Sequence, residues 1–167
     1  AELSAAESAA VSLHLTDVDL STLVSGAVSA ARSSLAAAGL EAHVDLAEGV
    51  TVRAVPDRLH QVVANLLANV ARHCRAGDSV TVAVGRAGTW AALTVADTGP
   101  GIDPHQLSQV FDRLWRGDAD TEGSGIGLAV VRELVVAHGG SVTASSDGSS
   151  GTTMTVLLPL APELAAG

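Results

Sequence analysis

The sequence predicts an α+β fold, a two-layer sandwich in which a mixed sheet of about five strands is covered on one face by three main helices. Three observations carry this expectation. Runs with helical spacing alternate with pairs of short β-rich runs, and the regular βαβ rhythm of a doubly wound sheet is missing. The third is length: 167 residues suffice for one core without disulfide or metal staples. No internal repeat is visible.

The elements follow in order. The first dozen residues, AELSAAESAAVS, are small and polar and read as a linker or the end of a preceding helix. In VDLSTLVSGAVSAARSSLAAAG, apolar residues at Leu20, Leu23, Val24, Ala27, Val28, Ala31 and Leu35 keep helical spacing, with Asp19 suited to the N-cap and Gly39 to the stop. EAHVDLA and VTVRAV read as short strands joined at Glu48-Gly49. Pro56 to about His73 predicts a second helix with proline in its first turn. SVTVAVG and TWAALTVAD, joined by RAG, predict a hairpin. The stretch DTGPGIDPHQLSQVFDRLWRGDADTEGSG is glycine-rich and polar, too irregular to be one element. IGLAVVRELVVAHGG predicts a third helix, its glycine pair suited to the C-terminus. GSVTASSDGSSGTTMTVLLP closes the chain as a strand pair around a Gly/Ser turn.

Composition excludes several functions. A net charge of −9 argues against a nucleic-acid or anionic-membrane surface, which needs a basic face. All nine basic residues are arginines, so a Walker-type phosphate loop, which needs a GK[ST] lysine, is ruled out. Any bound anion must be held by arginine, histidine, backbone amides or a metal. No run approaches the roughly 18 to 20 apolar residues that span a bilayer, and no basic n-region with an apolar h-region opens the chain, so a signal peptide is not expected. The single cysteine, Cys74, excludes an internal disulfide and fits a reducing compartment. It reads as a small buried hydrophobe at a helix end, with a reactive thiol as the alternative.

Four constellations could carry chemistry. In NLLANVARH, Val62, Val63, Leu66, Leu67 and Val70 form the apolar face of the second helix. Asn65, Asn69, Arg72 and His73 share a polar stripe. An amide oxygen is a hard ligand suited to Mg²⁺, and an arginine one turn on can pair with phosphate; a solvated helix face would explain the stripe equally well. Asp97 ends the strand LTVAD before the turn Thr98-Gly99-Pro100-Gly101-Ile102. Its carboxylate could accept from an exocyclic amine there, with the glycines letting a flat ring approach the backbone; a plain turn is the alternative. Gly123-Ser124-Gly125-Ile126-Gly127-Leu128 opens the third helix, where backbone amides and the helix dipole favour an anion. Its spacing is GxGxG and no strand precedes it, so it departs from the dinucleotide GxGxxG; a glycine-rich hinge is the plainer account. Between these lies Phe111-Asp112-Arg113-Leu114-Trp115-Arg116. The aromatics could pin a mobile lid while Arg113 or Arg116 reaches a phosphate, or the segment could simply be a short amphipathic helix docked on the core.

In this order the four stretches resemble the N, G1, F and G2 boxes of the ATP-binding catalytic domain of bacterial sensor histidine kinases, which has the Bergerat fold. NLLANVARH is similar to the N box, DTGPGI to the G1 box, FDRLWRGD to the F box and GSGIGL to the G2 box. GTTMTVLLP resembles the closing G3 strand, and AHGGSV the helix-to-strand turn before it. The resemblance runs from about Val18 to Pro159, nearly the whole chain.

The resemblance implies that the chain binds Mg·ATP. Asn69 would hold the Mg²⁺ and Asn65 would lie near the triphosphate. Arg72, where the family often has lysine, would contact phosphate, and His73 would flank the nucleotide. Asp97 would accept the adenine N6 amine, with Gly99, Gly101 and Ile102 shaping that wall. Gly123, Ser124, Gly125, Ile126, Gly127 and Leu128 would cradle phosphates, and Phe111, Arg113, Arg116 and Thr152 would complete the site. Residues 103–123 would be a flexible ATP lid. Leu114 stands where a second phenylalanine is common, so lid anchoring would lean on Phe111 and Trp115. No histidine sits in the His-Glu…Arg-Thr-Pro context of the phosphoacceptor, so the catalytic nucleophile would lie on a separate dimerisation domain.

This divides the chain into residues 1–14, a linker or the end of that dimerisation helix; 15–160, the ATP-binding catalytic domain; and 161–167, a tail. The partners implied are the dimerisation domain of the same kinase and a response regulator, with no nucleic acid. The isolated domain is expected to be a monomer, and the full-length kinase a cytoplasm-facing homodimer. Three other functions remain open. A gyrase-type ATP-gated clamp would need a transducer lysine, and an anti-sigma-type kinase would phosphorylate a partner's serine. A degenerate module would serve protein contacts alone.

Overall fold

The computed structural model describes residues 14–112 and 124–162. Strand β1 (Thr16–Asp19) leads into helix α1 (Leu20–Ala37), and strands β2 (Glu41–Leu46) and β3 (Thr51–Ala54) precede helix α2 (Pro56–His73). Strands β4 (Ser79–Ala87) and β5 (Trp90–Asp97) follow, then a 3₁₀ turn (Leu107–Gln109), helix α3 (Ser124–Ala137) and strands β6 (Ser141–Ser146) and β7 (Thr152–Pro159). These make three helices and a five-stranded mixed sheet, as the sequence predicts. The strand order is β2-β4-β5-β7-β6, with β2–β4 parallel and the remaining pairs antiparallel.

Each helix begins and ends for a local reason. The Asp19 carboxylate accepts the Thr22 amide at 3.1 Å, an N-cap worth about 1 kcal/mol, and Gly39, at φ +81°, stops α1. Helix α2 has proline at its start but only Val55 at its N-cap, which has no side-chain oxygen to offer. The group that serves is remote: the Val55 N–H donates to Nε2 of buried His138 at 3.2 Å, while the ring's Nδ1 contacts the Leu134 carbonyl at 2.7 Å. The beginning of α2 is thereby tied to the end of α3, where Gly139 turns the chain at φ +83°.

The core lies between the helices and one face of the sheet. Alternation along β4, β5 and β7 turns Val80, Val82, Val84, Leu93, Val95, Met154, Val156 and Leu158 inward. They share one apolar cluster with Val24, Val28 and Leu35 of α1, Val62, Leu66 and Leu67 of α2 and Leu128, Val131 and Val135 of α3. Each fully buried Leu or Val here contributes about 1.5–3 kcal/mol. The other face of the sheet carries Thr81, Ala83, Thr94, Ala96, Thr153 and Thr155, all half-buried.

Two elements differ from expectation. The strands on either side of Glu48-Gly49 do not pair with each other. β2 joins the main sheet beside β4, whereas β3 forms a separate two-stranded sheet with β1. The chain changes sheet at the bend: the Ala47 amide still bonds the Val84 carbonyl at 3.0 Å, while the Val50 carbonyl accepts the Leu20 amide at 2.9 Å. Strand β1 escapes a sequence reading because only Val18 of its four residues is buried, too few to show a period of two.

Candidate nucleotide-binding site

Helix α2 builds the first wall. Its register sends Leu59, Val62, Val63, Leu66, Leu67 and Val70 into the core, which rotates Asn69, Arg72 and His73 toward a cavity of about 740 Å³. Asn69 is only 7% exposed, yet its Oδ1 has no hydrogen-bond partner among the described residues. The buried Arg72 Nε is also unpartnered among them. Buried polar atoms are ordinarily satisfied, so a pair of orphans facing one cavity points to an external ligand. Burial lowers the His73 pKa from its ordinary 6.5, and the neighbouring Arg72 charge lowers it further against the opposing pull of Asp97. The imidazole is therefore neutral at pH 7, and Arg72 supplies the positive charge of this wall.

The second wall is Asp97 and the loop after it. Register pairs Asp97 with Thr152, so the ends of β5 and β7 open on the cavity together. Asp97 Oδ1 accepts the Gly99 amide at 2.9 Å and the Thr152 amide at 3.3 Å, which fixes the plane of the carboxylate. Gly99 is buried against Cys74: a Cβ on it would stand 2.7 Å from the Cys74 Sγ and 3.1 Å from Asp97 Oδ1. Gly101 has φ +80°, a conformation that L side chains rarely adopt. Burial, reinforced by the Asp97 carboxylate, pushes the Cys74 thiol up to about 12, so it packs as a hydrophobe and is not a reactive thiolate at neutral pH.

The third wall was not expected from the sequence. The turn between β6 and β7 lines the cavity with Asp147, Gly148 and Ser149, facing Pro104, His105 and Gln106. The Ser150 hydroxyl, and then the Ser149 and Ser150 amides, hold the Asp147 carboxyl down to about 2, so it stays ionised and keeps the turn closed. Exposed Arg75 also reaches the rim. A Gly/Ser turn carries no pattern that marks it as a site wall; only its contact with the distant loop does.

Seven of the expected site residues meet in this cavity: Asn69, Arg72, His73, Asp97, Gly101, Ile102 and Thr152. Others lie apart from it. Asn65 turns its amide to the Gly127 carbonyl at 3.3 Å, tying α2 to the first turns of α3, and Leu128 is a core residue. Phe111 sits half-buried beside Leu107, Arg132 and Val136 in a separate surface groove, next to fully buried Val110. Ser124, Gly125 and Ile126 begin α3. Arg113, Trp115, Arg116 and Gly123, with that half of the lid, lie outside the described residues.

No cluster of three or more His, Cys, Asp or Glu that could cage a metal occurs among the described residues. Among the described residues, Asn69 Oδ1 is the buried side-chain oxygen left unmatched, and a single hard oxygen of this kind fits a Mg²⁺ that keeps most of its waters.

Comparison with known proteins agrees with this geometry. The family described as histidine kinase-, DNA gyrase B-, and HSP90-like ATPase matches residues 54–162. The signal transduction histidine-protein kinase BaeS of Escherichia coli K12 is 34% identical over 167 residues, covering 98% of this chain and 36% of that protein. The sensor-like histidine kinase SenX3 of Mycobacterium tuberculosis H37Rv is 33% identical over 162 residues, 95% of this chain and 40% of that protein. The chain thus spans well under half the length of these curated relatives. Among solved structures, the mycobacterial sensor histidine kinase MprB superposes with a TM-score of 0.80 at 28% identity, covering 88% of this chain and 99% of that one. Full-length ShkA in complex with AMPPNP gives 0.82 at 26% identity, covering 93% and 33%. With its three helices, five-stranded mixed sheet and matched segment, the chain belongs to the histidine kinase-, DNA gyrase B- and HSP90-like ATPase family.

Proposed function

We propose that the chain is the ATP-binding catalytic module of a two-component sensor histidine kinase. It binds Mg·ATP and presents the γ-phosphoryl group to a histidine on a separate dimerisation domain, from which it passes to a response-regulator aspartate. The observation that carries this reading is the buried, partnerless Asn69 Oδ1 sharing one cavity with the oriented carboxylate of Asp97. Asp97 accepts the exocyclic amine of adenine, Ile102 and Gly101 line the ring, and neutral His73 flanks the nucleotide. Arg72, a fork where a lysine would be a point charge, pairs with phosphate oxygens. Asn69 would hold the Mg²⁺, which neutralises charge on the phosphates when bound. The first residues of α3, Ser124 to Gly127, offer backbone amides to the phosphates.

Phosphoryl transfer is mostly positioning and charge neutralisation, so the module by itself turns over slowly. The parent protein acts as a homodimer facing the cytosol, where ATP and response regulators are found. Identity of 33–34% to sensor histidine kinases over nearly the whole chain supports that branch of the family over a gyrase-type clamp.

The test mixes this chain with a dimerisation fragment carrying an acceptor histidine and γ-labelled ATP. Acid-labile label on the fragment is expected. Acid-stable label on serine would favour a serine switch kinase, and bound ATP with no transfer to any partner would leave only a nucleotide-binding or contact module. Asp97→Asn is expected to weaken ATP far more than bare triphosphate; equal loss of both would remove its role at the base.

A further inference from the structure

Resting on the nucleotide-binding reading, we propose that Ser146 is a positioning residue for the base end of the cavity, clasping the β6–β7 turn to the loop that follows Asp97.

That wall is a composite of two segments far apart in the chain. Gly101, Ile102 and Pro104 come from one, Gly148, Ser149 and Thr152 from the other. A hydroxyl has one donor and two acceptor positions, and Ser146 uses all three, two within its own turn and one across this seam. Its Oγ accepts the Ile102 amide at 2.9 Å from the facing segment and the Gly148 amide at 3.1 Å from its own, and its O–H donates to the Gly151 carbonyl at 2.7 Å. The segments press together: a Cβ on Gly101 would lie 2.8 Å from both Ser146 Oγ and Ser149 N, and one on Gly148 would lie 3.2 Å from Pro104 Cδ. Beyond Gly151 the next residue, Thr152, donates its amide to Asp97 Oδ1 at 3.3 Å. The clasp is therefore one residue removed from the group that orients the base-reading carboxylate. Asn69, Arg72 and His73 stand on α2, which takes no part in it.

Removing the hydroxyl leaves the Ile102 and Gly148 amides and the Gly151 carbonyl without this partner, and the two halves of the wall separate. The loss should fall on the base and spare the phosphates. The experiment uses the whole chain as Ser146→Ala and Ser146→Thr, with calorimetric binding of Mg·ATP and of Mg·tripolyphosphate, and amide exchange read at Ile102 and Gly148. For Ser146→Ala, ATP should bind about tenfold more weakly, tripolyphosphate within about twofold of wild type, and both amides should exchange faster, consistent with one lost half-buried hydrogen-bond set. Ser146→Thr keeps the hydroxyl and should restore ATP binding. Unchanged ATP affinity in the alanine variant, equal weakening of both ligands, or failure of threonine to rescue would overturn the proposal. Fast exchange of the Ile102 amide in the wild type would overturn it without any variant, should Ser146→Ala fail to fold. A wild-type chain that does not bind ATP would sink the nucleotide reading itself, a separate result from a wild type that binds and an alanine variant that matches it.

Discussion

Gly99 forbids a side chain through contact, and contact can be relieved. Its φ is not in the left-handed region, so alanine there meets no left-handed backbone strain. The obstacle is the Cys74 Sγ, 2.7 Å from where the new Cβ would stand, with Asp97 Oδ1 at 3.1 Å and the Cys74 Cα at 3.5 Å. Overpacking of this kind costs about 2 kcal/mol. Cys74→Ala by itself removes a half-buried sulfur and should cost about 1 kcal/mol. In the double variant the sulfur is gone, its Cα is at ordinary contact distance, and only the tight approach to Asp97 remains. The Gly99→Ala penalty should then fall to about 1 kcal/mol or less, a coupling of about 1–1.5 kcal/mol in favour of the pair. Urea unfolding of the four proteins at pH 7, analysed by linear extrapolation, measures this cycle. ATP binding should stay weakened in both alanine-99 proteins, because the methyl still crowds the carboxylate. Additivity of the two stability changes within about 0.5 kcal/mol would refute the contact argument.

Three other outcomes are expected. Asn69→Ala should abolish the Mg²⁺ dependence of ATP binding; an unchanged Mg²⁺ response in titrations would place the metal ligand elsewhere. The folded-state pKa of His73 lies below its ordinary 6.5, so the unfolded chain binds the extra proton. Its contribution to stability is complete above about pH 6.5 and is lost as pH falls toward the lowered folded value; thermal melts of His73→Gln should show a shallower acid slope than wild type in that window. Asn65→Ala removes the bond to the Gly127 carbonyl and should cost about 1 kcal/mol, with faster amide exchange in the first turns of α3 and little change in tripolyphosphate binding. A tripolyphosphate affinity that collapses in this variant would instead put Asn65 among the phosphate contacts.

The parts of this protein that were legible in its sequence are those whose cause is local. Helix α2 announces itself by a 3.6-residue period and a proline, and the β4–β5 and β6–β7 pairs by alternation and short turns. Asn69, Arg72 and His73 could be assigned to one face because helical geometry leaves no alternative once the core face is known. Local pattern failed where long-range pairing decides. Nothing in EAHVDLA says that it lies parallel to a strand nearly forty residues later, or that the next strand belongs to another sheet. Asn65 shares the stripe of Asn69 in sequence, but the approach of α3 takes up its amide. The cap of α2 comes from His138, and the third wall of the cavity from a turn that reads as ordinary; both exist only once distant segments meet.

The unmatched oxygen of Asn69 carries a thermodynamic consequence. A protein folding for its own sake would place a small apolar residue there, since that side of α2 is almost closed to water. The asparagine makes the ligand-free fold locally frustrated, and in the proposed function bound Mg·ATP relieves the conflict. An apolar replacement should therefore raise the melting temperature of the ligand-free chain while erasing the Mg²⁺-dependent part of the stabilisation expected from ATP. Thermal robustness and receptivity would then be seen pulling one side chain in opposite directions.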